Sequence, residues 1–455
     1  MEDERGPDDL KAWGDESGAV LAALAWATGR VIRPTDPKTG ARPADAIAAD
    51  AGATVTPRGI GSVEAMRVFD EVLVPATRAQ DDPMNLSYIP SAPTRAAVAF
   101  DLATSAANIF GGVWEAGAGA IVAENEALAW IVDLLGWPSD AGGCFVAGGT
   151  SGNLSALMTA RETATTRRGG RPAGGWKLAC TADAHSSIRS AARVLDVDIL
   201  GVPGDDRDHL TGHALRTVLA DDPDVFAVVA SAGTTNAGLI DDLADVADVC
   251  EEFGVWLHVD GAYGGAALAA PSVRARFDGI ERADSFIVDP HKWLFAPYDC
   301  CALLYRDPSL ARAAHSQLAG YLDHLDRQAW NPADLGIHLS RRARGLPFWF
   351  SLATHGTDRY TRAVEQTLST ARAVAAAISD SDHLRLVCEP ELSIVVFERP
   401  GWTDDDYAAW SQEVADSCVM LCVPTKWHGR TVLRLAFINP ETRADAVIDV
   451  LRTAA

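Results

Sequence analysis

Short apolar runs, rich in β-branched and aromatic residues, recur through the middle of the chain and each closes in a polar or glycine-rich turn. They are Val225–Ala230, Val255–Val259 and Phe286–Val288, with helical patterns such as Asp241–Phe253 between some of them. Runs this short and this uniformly apolar suit strands buried on both faces. Strands alternating with helices require a mainly parallel sheet covered by helices, an α/β fold. Ala96–Ile109 and Ala123–Leu135 also read as helices. After Trp330-Asn331-Pro332 the pattern changes: Phe348–Leu352 and Tyr360–Ile378 are helical, and Leu392–Phe397 and Val432–Phe437 suit strands of a smaller α+β domain. Upstream, Gly18–Arg30 and Val63–Val72 read as helices. The expected organisation is an N-terminal helical segment (1–90), a large domain (91–346) and a small C-terminal domain (347–455).

Composition removes several classes of function. A chain of 455 residues with 48% hydrophobic residues exceeds one small core. Its net charge of −23 repels nucleic acid and anionic membrane surfaces, so neither is expected as a partner. None of the 8 cysteines forms a CxxC pair, so no metal site is expected. The acidic start, Met1-Glu2-Asp3-Glu4, lacks the apolar core of a secretory signal, and no run approaches the length of a membrane span. A cytoplasmic location is the expectation.

Ligands of open α/β sheets lie beyond the carboxyl ends of the strands, and four polar elements fall there in order. The first is Ala147-Gly148-Gly149-Thr150-Ser151-Gly152-Asn153 before a helical pattern, where free N–H groups and the hydroxyls of Thr150 and Ser151 suit an anion. The second is His185-Ser186-Ser187, whose imidazole can stack on a flat ring. The third is Gly233-Thr234-Thr235, directly after an apolar run. The fourth joins Asp260, in Val259-Asp260-Gly261-Ala262-Tyr263, to Pro290-His291-Lys292-Trp293, with Lys292 32 residues after Asp260. Singly, each is compatible with a plain turn, a helix cap or a structural salt bridge. Jointly they suit pyridoxal 5'-phosphate. A lysine amine forms a Schiff base with its aldehyde, and an aspartate keeps its pyridine nitrogen protonated, so that the ring accepts electrons.

These residues resemble the group II pyridoxal-phosphate-dependent amino acid decarboxylases, the family of aromatic-amino-acid and glutamate decarboxylases. The resemblance runs from about Tyr88 to about Phe437 and implies a fold type I, aspartate aminotransferase-like architecture with helices on both faces of the sheet. It also implies a homodimer with active sites at the subunit interface and an N-terminal arm wrapping the partner. By similarity Lys292 is the Schiff-base lysine and Asp260 the pyridinium partner. His185 stacks on the ring near the substrate carboxylate, and Ala262 packs on the other face. Thr235 touches the ring, while Thr150, Ser151 and His291 contact the phosphate. Tyr88, Ile89, Pro90 and Trp114 fall where the family lines its substrate pocket, which favours an apolar or aromatic L-amino acid; Asn85 and Arg95 leave room for a polar one. Arg434 either binds a carboxylate or pairs within the small domain.

One departure bears on the product. The family's mobile loop carries a tyrosine that reprotonates the carbanion, but 325–340 contains none. Tyr321 lies just before it, and Trp330, His324 and His338 in or beside it. His338 or His324 is a candidate replacement acid. The expected reaction is decarboxylation to the amine and CO2. The alternative is decarboxylation coupled to oxidative deamination, giving an aldehyde, ammonia and peroxide. A remoter one is an inactive cofactor-binding homologue.

Overall fold

The computed structural model describes residues 16–33, 40–316 and 330–454. It divides into two compact units, one ending at Asp82 and the other beginning at Pro83. In the first, the expected helices span Ser17–Ile32 and Ser62–Val68, the latter continuing as a wider π-helical turn over Phe69–Leu73. Trp26 joins them, its ring edge-on to Phe69 at 4.8 Å and its Nε1–H donating to Asp70 at 2.7 Å.

In the second unit, seven strands among the described residues form one sheet: β1 (Gly142–Val146), β2 (Lys177–Cys180), β3 (Asp198–Gly201), β4 (Val225–Ser231), β5 (Trp256–Asp260), β6 (Ser285–Val288) and β7 (Cys301–Tyr305). Their order is β1-β7-β6-β5-β4-β2-β3. Only β7 runs against its neighbours, so the mainly parallel sheet read from the sequence is present. β4 is buried along its whole length because apolar layers cover both faces. In β6, Phe286 and Val288 enter one layer with Leu257 and Val259, while Ile287 enters the other with Leu157 and Leu178. That is the two-residue period of a pleated strand.

The helices between strands carry their own start and stop signals. Asp242 accepts the Asp245 N–H at the start of Leu243–Phe253, and Gly254 closes it at φ 66°. The helix expected over Ala123–Leu135 begins earlier, at Trp114. Its first turns contain two glycines among small residues; Gly117 departs from helical angles, and Phe110 O lies 2.7 Å from where a Cβ on it would stand.

A second sheet follows, with β8 (Arg385–Leu386), β9 (Ile394–Glu398), β10 (Thr425–Trp427) and β11 (Arg430–Ala436) in the order β10-β11-β9-β8, all antiparallel. Residues 84–87 join it: Asn85 bridges to Leu421, the Ala436 N–H donates to Leu86 O, and Leu86 is buried in the core beneath. No helix among the described residues is long and apolar enough to cross a membrane.

Where the chain approaches β9, the nearly buried Glu391 accepts from His209 Nε2 at 3.1 Å, from Arg207 at 3.0 Å and from the Ile240 N–H at 2.9 Å. Its hydrogen bond raises the His209 pKa above the ordinary 6.5, against burial. A raised histidine pKa contributes stability that is complete below the unfolded value and lost as pH rises through the folded one. Unfolding free energy is therefore expected to fall above pH about 6.5, and His209→Gln to flatten that slope, in urea melts between pH about 6 and about 9.

Candidate active site

The four polar elements meet at the carboxyl ends of the strands. Asp260 is the last residue of β5, and Asp289 follows directly on β6. Lys292 Nζ lies 2.9 Å from Asp289 Oδ2. Burial works against the ammonium, but Asp289 and then Asp260 outweigh it and hold the amine above its ordinary range. Asp289 is 2% exposed, and its Oδ1 has no N–H or O–H partner among the described residues. The turn carrying Lys292 is braced from behind. Trp293 is fully buried, stacks on Tyr263 at 5.1 Å, and donates to Thr367 Oγ1 at 2.8 Å. The Asp289 N–H donates to Ala262 O at 3.0 Å, tying the lysine turn to the aspartate turn.

The glycine turn after β1 closes over the same residues. A Cβ on Gly149 would lie 3.2 Å from Asp289 Oδ2 and 3.3 Å from Ala262 Cβ, and one on Gly148 3.9 Å from His291. Gly148, at φ 146°, occupies backbone space that favours glycine. Thr150 is exposed and Ser151 half-buried at the N-terminus of the Gly149–Arg168 helix. His185 is exposed and caps the Ser186–Leu195 helix through Nδ1. Gly233 places its backbone where a Cβ would be 2.8 Å from Gly264 Cα, which brings the Thr234-Thr235 turn onto the Asp260 turn. Thr234 is buried and Thr235 exposed.

Pyridoxal phosphate fits this set on the chemistry of the donors. A mostly buried amine, two carboxylates, an exposed imidazole, and hydroxyls at a glycine-initiated helix N-terminus gather at the strand ends. His291 qualifies the fit. Burial lowers its pKa, and Nδ1 lies 2.7 Å from Cys300 O. The Cys300 N–H also points at Nδ1, at 3.2 Å, and Nε2 lies 3.8 Å from Asp289 Oδ2, so both ring nitrogens already face groups of this chain.

The family model described as the pyridoxal-dependent decarboxylase conserved domain matches residues 64–399. An aromatic-L-amino-acid decarboxylase of Bacillus atrophaeus is 30% identical over 82% of this chain and 80% of its own length. An L-2,4-diaminobutyrate decarboxylase of Rhizobium meliloti is 31% identical over 78% and 74% respectively. The chain belongs to the pyridoxal-dependent decarboxylase family. It is a pyridoxal-phosphate-dependent amino acid decarboxylase, as the sequence led us to expect. The fold agrees: the crystal structure of Oryza sativa TDC with PLP and tryptamine superposes with a TM-score of 0.88 at 23% identity, covering 100% of this chain and 98% of that one.

The structure of the decarboxylase places the remaining sequence candidates unevenly. Tyr88, Ile89 and Pro90 begin a strap tied to the lysine turn: Ser91 Oγ donates to Ala296 O, and the Thr94 N–H to Phe295 O. Tyr88 is 70% exposed, with φ 57°. Trp114 opens the Trp114–Leu135 helix, and its N–H donates to Asn331 Oδ1 at 2.9 Å, which ties it to 331–335 instead of to that strap. Arg434 is spent on backbone. Its guanidinium donates to Tyr88 O at 2.6 Å, Thr235 O at 2.6 Å and Asn236 O at 3.1 Å, binding the strap to the threonine turn. His338 is pushed down to about 4 by burial and by Arg341 and Arg344, so at neutral pH it is not an imidazolium acid. His324 and Tyr321 lie outside the described residues.

Sequence reasoning missed three residues that the structure places against the candidate site. Asp289 was legible as a charge at the end of an apolar strand, three residues before Lys292. Asn153 carried no signal beyond its glycine-rich turn, yet its Nδ2 donates to Asp260 Oδ2 at 2.8 Å. Tyr298 packs on His291 with ring centroids 4.8 Å apart, placed there by the turn that returns the chain into β7.

Proposed function

We propose that the enzyme removes the carboxylate of an L-amino acid with an apolar or aromatic side chain as CO2 and releases the amine. The observation that carries this reading is the mostly buried Lys292 amine held between the carboxylates of Asp289 and Asp260 at adjacent strand ends. Lys292 would hold the cofactor aldehyde, Asp260 the ring nitrogen, His185 and Ala262 the ring faces, and Thr235 the ring. Thr150, Ser151 and His291 would hold the phosphate. Bound there, pyridoxal phosphate supplies the sink for the electron pair left on Cα as CO2 departs. The chain supplies orientation: Asp260 keeps a proton facing it in place, His185 meets the substrate carboxylate, and Lys292 exchanges a proton at Nζ beside Asp289.

The substrate side chain is assigned from the strap. Tyr88 is mostly exposed but its backbone is fixed by Arg434, and Ile89 and Pro90 continue an apolar wall. The relatives themselves are named for substrates as different as aromatic amino acids and 2,4-diaminobutyrate, so the strap and not the kinship carries the assignment. In this reading 91–346 is the cofactor domain, 347–455 the small domain, and the enzyme is a cytoplasmic homodimer. The dimer is supported by the N-terminal unit, whose Ser17–Ile32 helix buries no residue and where Leu21, Ile32 and Val63 are 67%, 63% and 81% exposed.

A second reading rests on the tyrosine-free 325–340 stretch and on the neutral His338. If nothing there delivers a proton to Cα, oxygen takes its place and the product is an aldehyde with ammonia and peroxide. Incubation of the cofactor-loaded enzyme with a panel of L-amino acids in air separates the two. Amine from an aromatic or branched substrate without peroxide is the expected result. Stoichiometric peroxide with aldehyde would replace it with the oxidative reading.

A further inference from the structure

The groups beneath the cleft form one hydrogen-bond chain whose direction is set by its fixed members. An Asp260 carboxylate only accepts, so the neighbouring Asn153 amide must present Nδ2 to it, at 2.8 Å. The other N–H of Nδ2 points at Ser187 Oγ, 2.9 Å away. Ser187 Oγ, receiving that hydrogen, gives its own to His185 Nδ1 at 2.8 Å. The Ser187 N–H also approaches Nδ1, at 3.3 Å, so two donors face this nitrogen and it carries no proton. The proton of neutral His185 is therefore on Nε2.

The inner end agrees. Asn153 Oδ1 faces His258 Nε2 at 2.8 Å, which must donate. His258 Nδ1 then accepts from Ser285 Oγ at 2.8 Å, and Ser285 Oγ accepts from Trp256 Nε1, a donor only, at 2.8 Å. His258 is fully buried, and burial keeps its ring neutral, as this arrangement needs. With Asn153 Nδ2 on Asp260 and on Ser187 Oγ, the Ser187 hydroxyl hydrogen has His185 Nδ1 as its acceptor, and reversing the Asn153 amide would aim an acceptor at the Asp260 carboxylate.

We propose that Asn153 is a positioning residue that couples two site residues, holding the Asp260 carboxylate and, through Ser187, fixing His185 as its Nε2–H tautomer. The ring thus offers the cleft a donor, which suits an anionic group such as a substrate carboxylate. The functional part rests on the roles given above to Asp260 and His185; the tautomer does not.

The test uses the full-length protein labelled with 15N-histidine, with and without pyridoxal phosphate. His185 is assigned through His185→Gln, and its tautomer is read from two-bond proton–nitrogen spectra. Wild type is expected to show Nε2–H alone. Asn153→Leu keeps the shape but removes both donors, so the Ser187 hydroxyl is free to rotate and only the longer Ser187 N–H contact, at 3.3 Å, is still held on Nδ1. His185 should then populate both tautomers, and cofactor affinity should fall about tenfold or more, as for a lost hydrogen bond to a charge. Ser187→Ala leaves the bond to Asp260 in place, so it should disturb His185 and lower cofactor affinity less than Asn153→Leu does. A packing role alone would alter stability and leave the tautomer as it was. An Nδ1–H ring in wild type, or an unchanged His185 in Asn153→Leu, overturns the proposal. If that variant does not fold, an unchanged His185 in Ser187→Ala overturns it. Spectra of cofactor-free protein involve no substrate, so a failure to make amine from any amino acid is a separate result.

Discussion

Lys292→Ala is expected to abolish turnover, by about 10³-fold or more, since the amine that would anchor the cofactor's aldehyde is removed. Borohydride treatment followed by peptide mass spectrometry provides the direct measurement: the cofactor becomes fixed to the Lys292 peptide in wild type and to no peptide in the variant. Stability is the complication. Removing the ammonium leaves Asp289, 2% exposed, without its cation, and an uncompensated buried charge typically costs several kcal/mol. Lys292→Arg resolves it, because an always-charged guanidinium keeps a partner for Asp289 but is a poor nucleophile. A folded Lys292→Arg protein that neither links the cofactor nor turns over substrate places the loss on chemistry. Turnover that survived in either variant would remove Lys292 from its assigned role.

The parallel sheet was legible because three strands buried on both faces are mostly apolar: Val225–Ser231, Trp256–Asp260 (interrupted only by His258 before its closing Asp260) and Ser285–Val288. Strands β2 and β3 carried weaker signals. Lys177–Cys180 is only four residues long, and Asp198–Gly201 lies at the sheet edge with exposed ends, so neither shows a long apolar run. β1 was hidden by its glycines. Gly143 is there because a Cβ would stand 1.8 Å from Leu303 O across the ladder, a demand set by the partner strand and invisible locally. The same division holds in the site. Lys292 and Asp260 were readable because a charge closing an apolar strand needs a reason. Asn153 and Arg434 act through partners 107 and up to 346 residues away, and only the folded chain supplies those partners. His338 shows the opposite error: its residue type promised an acid at neutral pH, and its burial among cations removed that capacity.

Glu124→Ala is expected to cost about 3–5 kcal/mol of folding stability, the range for breaking one side of a buried ion pair. Glu124 and Arg341 have side chains 3% and 1% exposed and meet at 2.7 Å. The remaining capacity of each is largely used. Arg341 Nη1 donates to Gly111 O at 2.7 Å, and Glu124 Oε1 also accepts the Gly345 N–H at 2.8 Å. Arg341 Nε has no partner among the described residues, so within them the guanidinium is already short of one bond. The pair fixes the chain where it leaves 330–340. Gly345 presses on Phe145, where a Cβ would lie 2.2 Å from the ring, and Phe145 is next to last in β1, just before the Gly148-Gly149 turn. Loosening it should therefore reach the cofactor side as well, and urea melts should show a larger loss for holoenzyme than for cofactor-free protein. The double variant Glu124→Leu with Arg341→Met separates charge from shape, because apolar replacement of a whole buried pair is often neutral or stabilising. Recovery of stability in the double variant would assign the single-variant loss to the stranded arginine. If the double variant stays as unstable as Glu124→Ala, the loss belongs to the Gly345 and Gly111 backbone groups that the pair satisfies.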